Sequence, residues 1–343
     1  MVVLEAKSLR KAEVPLSLIE NPSPGNIQCT RLALHVNEDG CSCFVYIASG
    51  CHLYKLQVMM DDWFVSEGKD SLLIPEQTPV MDSSMLNRCP HRSEVQSIAL
   101  AETDSSGYMV LGSVDSYGHL IVSKLDTSDV DRLTYSVLPQ DCGVGEAVAR
   151  SFSKSIDVYD QDIHLRTLLA YFDNSGIRHS SVLRLWYPSS LNFIQNLSPV
   201  NGGPNMLAVT EGCQLTIWDL RMKENGGCLH RICGSVGDIL YAVCSSSTGN
   251  IAVAGADRTV TIYDPRRWSA LSRWVHCSKY EVFCGQWRES SKVFAFRGDS
   301  NWLGFSKCSN RDVLGGWSDS GSIFVADVVA KENEISALKG LVN

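Results

Sequence analysis

The residues of this chain with the richest potential chemistry are its 13 cysteines and 8 histidines. Cys41-Ser-Cys43 followed by Cys51-His52 is the densest group of soft metal ligands, and Cys228 with Cys233 comes next. Zinc sites use Cys-x2–4-Cys pairs on loops, usually with a second pair nearby. Cys41 and Cys43 instead fall on one side of a strand's pleat, and Cys51 opens the following strand, so they read as small apolar packing residues. His35, His52, His91, His119, His164, His179, His230 and His276 share no local spacing with carboxylates that would form an acid–base pair. The nearest approach to a phosphate loop, Gly143-Val-Gly145, lacks the Lys and lies in strand-like surroundings. Gly316-Trp-Ser-Asp-Ser-Gly321 misses the Gly-x-Ser-x-Gly nucleophile elbow by one residue and reads as a turn between strands. No catalytic residue, no metal site and no cofactor is therefore expected, and the chain is read as not being an enzyme.

The remaining chemistry is that of a surface, and composition limits what the surface can bind. The 343 residues carry 30 Lys+Arg against 38 Asp+Glu, a net charge of −8, with no long basic run. Counterion release by clustered Lys and Arg drives nucleic-acid binding, so nucleic acid and anionic membrane are poor partners for this chain. With 44% hydrophobic residues and 20% charged, a large buried core is available. No run approaches the ~18 apolar residues of a membrane span. The start Met1–Arg10 has charges interrupting its apolar residues rather than the apolar stretch of a secretory signal. The cysteines are odd in number and scattered, which suits reduced thiols and a cytoplasmic or nuclear location.

The elements behind that surface are short strands, since runs rich in Val, Ile, Tyr and Trp alternate with Gly, Ser, Asp and Asn. They repeat. Met109–Val122, Ile251–Asp264 and Val313–Val325 each run from a short apolar strand through small residues to an Asp (Asp115, Asp257, Asp319) and into an alternating strand. The Asp can hydrogen-bond its own turn, and the small residues allow close backbone approach. Looser copies stand at Phe44–Leu56, Leu168–Trp186 and Met206–Asp219. A seventh hairpin is sought between residues 126 and 165, from Leu133–Leu138 and Ala147–Phe152, or from Val293–Phe296 with Trp302–Phe305. Repeats at this spacing predict an all-β ring of blades.

Thr216-Ile-Trp-Asp-Leu-Arg221, Thr261-Ile-Tyr-Asp-Pro-Arg266 and Leu183-Arg-Leu-Trp-Tyr187 resemble the WD-repeat β-propeller family over roughly residues 27–329. His91-Arg-Ser-Glu-Val95-Gln-Ser-Ile98 is similar to that family's blade opening, and His91 precedes Asp115 by 24 residues, about its His–Asp offset. The resemblance implies one propeller domain over 1–343, of seven blades with four antiparallel strands each. It also implies a structural network of His91 with Asp115, turn aspartates Asp257 and Asp319, and equivalent Trp218 and Tyr263. Residues 58–90 break the period and are expected to be a loop insertion between blades; 331–343 are expected to be a tail or short helix. The first 26 residues are expected to lend a strand to the last blade.

In function the resemblance implies a non-enzymatic protein-interaction scaffold, a subunit of a larger cytoplasmic or nuclear complex. The Trp/Tyr-Asp-x-Arg pattern also resembles the motif that docks some propellers on the adaptor of cullin–RING ubiquitin ligases. That marks Asp219, Arg221, Asp264 and Arg266 as candidate partner-binding residues and makes a substrate receptor the second reading. The motif around Arg221 is incomplete, with Gly212 where an Asp is expected, so Arg221 is expected to brace its turn and Arg266 to be the better docking residue. The window 206–266 further resembles the small propeller subunits of the nuclear-pore outer ring, and a small-molecule or catalytic site in the central channel is a last alternative.

Overall fold

The computed structural model describes residues 4–23, 31–60, 74–86, 91–102, 108–116, 119–126, 133–137, 147–152, 155–160, 166–172, 178–184, 188–194, 206–222, 227–234, 238–246, 249–275, 282–288, 292–297, 302–308 and 311–330. All its regular structure is β. Strand β1 (Leu4–Glu13) is followed by β2 (Leu32–Val36), β3 (Ser42–Ser49), β4 (His52–Met59), the two-residue β5 (Glu76–Gln77) and β6 (Val80–Leu86). Of these, β2, β3, β4 and β6 form the first antiparallel sheet. The second sheet is β7 (Val95–Glu102), β8 (Tyr108–Asp115), β9 (Leu120–Asp126) and β10 (Leu133–Val137). The third is β11 (Ala147–Phe152), β12 (Ser155–Asp160), β13 (Arg166–Phe172) and β14 (Arg178–Arg184).

The fourth sheet is β15 (Pro188–Phe193), β16 (Met206–Glu211), β17 (Gln214–Asp219) and β18 (Cys228–Cys233). The fifth is β19 (Leu240–Ser245), β20 (Ile251–Gly255), β21 (Val260–Asp264) and β22 (Ser269–Trp274). A pair, β23 (Val282–Arg288) and β24 (Lys292–Arg297), comes next. The last sheet joins β25 (Trp302–Lys307), β26 (Val313–Ser318) and β27 (Ser322–Ala330) to β1, with β5 parallel on its outer edge. First strands touch around a closed ring: β2 against β7, β7 against β11, β11 against β15, β15 against β19, β19 against β23, β23 against β25, and β25 against β2. This is a β-propeller arrangement.

Burial falls from the ring's interior outward, and the sequence pattern follows it. Every residue of β16 and β26 is buried, because a middle strand is covered by neighbouring sheets on both faces; apolar and small residues make up most of each. The outer strands β18 and β22 are mostly exposed and read as polar. One core cluster joins Ala12 and Val14, the first sheet through Leu34, Val45 and Leu56, and the closing sheet through Trp317 and Val325. These sheets approach closely because Gly304 and Gly315 have no side chain: a Cβ on Gly304 would strike Leu32, and one on Gly315 would strike the Leu34 side chain.

Ring closure joins the two ends of the chain. Leu4 to Glu13 pair with Ala330 to Ser322, and Val14 N donates to Gly321 O at 2.9 Å. Buried Arg10 locks this seam, donating to Asp327 Oδ2 (2.8 Å), Ser8 Oγ (2.9 Å) and Met60 O (2.9 Å).

Several expectations need correction. Five sheets have four strands, the closing one has five, and one has two among the described residues, rather than seven of four. Leu133–Val137 and Ala147–Phe152 are not a hairpin: the first is the outer strand of the second sheet, the second the inner strand of the third. Val293–Phe296 and Trp302–Phe305 likewise belong to different sheets. In both cases the chain crosses from one sheet to the next between two strands adjacent in sequence. The stretch 58–90 contains β6, the outer strand of the first sheet, so its irregularity lies within that sheet; residues 61–73 are outside the described residues. The tail 331–343 also lies outside them.

Candidate interaction surface

Antiparallel order sorts the connections of a four-stranded sheet onto two faces. The turn between second and third strands shares an upper face with the start of the first strand. The turns after the first and third strands form the lower face. Hydrogen bonds on the upper face link one sheet's turn to the next sheet's opening: His91 N to Cys51 O (3.0 Å), Val95 N to Gly50 O (2.8 Å) and Leu240 N to Gly212 O (2.8 Å).

Both marked arginines lie on the lower face, in the turns that follow β17 and β21. Their backbones are held alike: Arg221 N donates to Asp219 Oδ1 at 3.0 Å, and Arg266 N to Asp264 Oδ1 at 2.9 Å. Their guanidinium groups differ. Arg221 turns back on Asp219, donating from Nε to Oδ1 (2.9 Å) and from Nη2 to Oδ2 (2.7 Å), while its side chain stays 57% exposed. Arg266 is exposed, and its guanidinium forms no ion pair among the described residues. The guanidinium of Arg221 holds the Asp219 carboxyl below the usual carboxylate range, with burial opposing it. The pair therefore contributes above the ordinary Asp pKa, and the contribution is lost as pH falls through the depressed one. We expect Arg221→Ala to raise the Asp219 pKa, followed by carboxyl NMR titration; an unmoved value would show that the bond is not formed in solution.

Trp218 and Tyr263 occupy equivalent positions, each beside a register shift with the outer strand, at Ile217/Trp218 and Ile262/Tyr263. Trp218 is 2% exposed, whereas Tyr263 is only partly buried and packs against the Met206–Ile217 cluster. The Trp218 Nε1–H donates to Thr216 Oγ1 at 2.9 Å, and Thr216 in turn bonds the buried Glu211 carboxylate. Glu211 stands one residue before Gly212, but it bonds Thr216 in β17, whereas Asp257, the counterpart of Gly212 in the fifth sheet, holds its own turn through Thr259 N. Sequence reading did not mark Glu211, because the motif calls for an Asp at Gly212.

On the upper face His91, Asp115 and Ser113 meet in the second sheet. His91 Nε2 lies 2.7 Å from Ser113 Oγ, and Nδ1 lies 3.4 Å from Asp115 Oδ2. His119, which sequence reading left aside, adjoins them: its backbone N–H donates to Asp115 Oδ1 at 2.9 Å. Asp257 accepts from Thr259 N at 3.0 Å and lies 3.5 Å from Arg273. Asp319 is exposed in a turn bonded through Ser318, Ser320 and Ser322. Cys43 is buried and its thiol is pushed up by desolvation, while Cys41 is exposed and Cys51 intermediate. Cys228 and Cys233 stand at opposite ends of β18.

Two solved structures share this fold. A chain of "Crystal Structure of Mitotic Checkpoint Complex" is similar with a TM-score of 0.57 at 10% identity, covering 95% of this chain and 93% of that one. "Crystal structure of WD40 beta propeller domain of Doa1" is similar with a TM-score of 0.56 at 9% identity, covering 94% and 97%. No protein-family model and no curated protein matches the chain.

Proposed function

We propose that this chain, which has the WD40 β-propeller fold, is a non-catalytic scaffold that joins other proteins in a cytoplasmic or nuclear assembly. One observation supports this most. Among the side chains whose exposure the structure describes, which do not include those of the third sheet or of β23 and β24, six of the ten exposed large hydrophobic ones fall between positions 222 and 275: Met222, Leu229, Ile239, Leu271, Trp274 and Val275. They belong to the fourth and fifth sheets and their connections, the same sector that carries Arg221 and Arg266. Exposed apolar side chains concentrated in one sector mark protein contact sites, and Trp, Met and Arg are enriched there. One similar chain comes from a multi-protein complex, as its name states. In this reading β23 and β24 are the inner half of a further blade, making seven.

The exposed Arg266 favours one particular partner, the adaptor of a cullin–RING ligase, because its guanidinium has donors to spare for carboxylates or carbonyls of another chain. The two readings separate in one experiment. Tagged protein, purified from its source cells, is compared with Leu271→Glu/Trp274→Glu and with Arg266→Ala. A scaffold using this sector retains stoichiometric partners that the first variant loses at unchanged melting temperature. Adaptor docking requires that recombinant adaptor bind the wild type and lose at least ~10-fold affinity to Arg266→Ala, a little over 1 kcal/mol of hot-spot energy. Wild-type protein without any stoichiometric partner would overturn the scaffold reading.

A further inference from the structure

The pair β23–β24 is half the depth of its neighbours. Every other sheet carries a third and a fourth strand outside the second, whereas among the described residues β24 pairs with β23 alone. Only residues 298–301 separate β24 from β25, too few for two further strands at the usual ~5–6 residues each. β24 reads Lys292-Val-Phe-Ala-Phe-Arg297, four apolar residues in a row with no Pro and no central charge. That is not how an exposed strand edge is protected. We propose that another protein supplies the outer half of this sheet, as a β-hairpin that pairs along β24 and carries acidic residues beside its apolar ones. The proposal rests on the scaffold reading and says how one partner is held.

The fifth sheet shows what is missing. Ile251 and Val253 of β20 join the core shared with the fourth sheet, so Ala252 and Ala254 face the other way, towards β23, which β20 contacts. Val260 and Ile262 cluster with those alanines. Trp274 pairs opposite Val260, which sets it on that same face. The fourth sheet has the matching pair, Ile232 opposite Leu215. There Ile232 packs against a core to which Tyr263 of β21 and Trp268 of the following turn also belong, both from the outer half of the next sheet. Beside Trp274 the next sheet has no outer half among the described residues, and the side chain is 43% exposed. An apolar strand laid along β24 would cover Trp274 as Tyr263 and Trp268 cover Ile232.

Charge sets the chemistry of the partner. Residues 258–297 carry eight Lys and Arg against three Asp and Glu, a net +5 in a chain whose total is −8. Arg266, Arg267 and Arg273 are exposed on the fifth-sheet side of this region. Charge complementarity favours an acidic strand there and speeds its encounter. In strand addition the main chain gives affinity and alternate side chains give specificity. Other occupants fit less well. Residues 331–343 carry two Lys against two Glu and so bring no net charge, and the described strands of a second copy are already placed in its own sheets.

The test uses the full chain, alone and as tagged protein isolated from its source cells. Hydrogen exchange reads the edge. In the isolated chain, β24 should exchange at least ~10-fold faster than the middle strand β20, because half of its N–H groups are unpaired, and it should become protected in the purified assembly. Photo-crosslinking reads the occupant, from Trp274→benzoylphenylalanine and, as a control, from Met85→benzoylphenylalanine on the outer strand of the first sheet. Position 274 should join one partner segment, apolar with acidic neighbours, that position 85 does not reach. Exchange of β24 as slow as β20 in the isolated chain would show the edge already covered and overturn the proposal. Crosslinks from position 274 to residues 331–343, to a second copy, or to a segment without acidic residues would overturn it equally. Stoichiometric partners without a crosslink at position 274 would overturn it and leave the scaffold reading standing. Absence of any stoichiometric partner would overturn both.

Discussion

Deleting residues 1–14 will abolish the stable fold. The deletion removes the pairing of Leu4–Glu13 with β27, takes Ala12 and Val14 from the core, and strips Asp327 of Arg10. Removing one partner of a buried ion pair alone costs ~3–5 kcal/mol, against a typical total stability of ~5–15 kcal/mol. The freed edge of β27 is also a template for pairing with other chains. We expect loss of near-ultraviolet circular dichroism, and aggregation on size exclusion. A cooperative urea transition retained within ~2 kcal/mol of wild type would show that β1 is dispensable. Arg10→Met isolates the ion pair and should cost about 3 kcal/mol, the lower end of the range, because Asp327 keeps 26% side-chain exposure. Adding Asp327→Leu should recover part of that loss by removing the stranded carboxylate.

Trp218→Ala will be the most damaging single substitution in the fourth sheet, at ~3–5 kcal/mol in urea unfolding. The ring is 2% exposed and packs with Leu191, Phe193, Leu207 and Val209. Its loss leaves a cavity and also takes the donor from Thr216, so Trp218→Phe should still cost ~1–3 kcal/mol through the unmade hydrogen bond. Trp317 provides the contrast. It is fully buried, its Nε1–H has no hydrogen-bond partner among the described residues, and Trp317→Phe should be the milder exchange. A loss below ~1 kcal/mol for Trp218→Ala would place the ring outside the core and undo the equivalence with Tyr263.

What could be read from the residues was local. Apolar runs broken by small residues and Asp115 or Asp257 mark hairpins, because a turn is specified by a few neighbouring side chains. The joins between sheets carry no such mark. Leu133–Val137 and Ala147–Phe152 are neighbours in sequence yet lie in different sheets, and only the geometry of the ring separates them. Val80–Leu86 escaped notice as a strand because an outer strand needs few apolar residues; its pattern is mostly exposed or intermediate. The candidate surface was half legible. Asp219–Arg221 and Asp264–Arg266 share the Asp-x-Arg pattern, but whether a guanidinium folds back on its Asp depends on side-chain packing. His119 could not be singled out, since its relation to His91 arises from three separate elements meeting.

The seam between β1 and β27 also sets a schedule for synthesis. Arg10 and Asp327 are 317 positions apart, so at ~5–20 residues per second β1 leaves the ribosome roughly 16–63 s before its partner exists. During that interval the nascent chain is an open arc with an unmatched strand at its head. The make-up of β1 suits the wait, because Glu5, Lys7, Arg10, Lys11 and Glu13 charge it and discourage pairing with passing edges. Arg10 then meets Asp327 when the last strand of the ring arrives, which makes the final stitch selective as well as late.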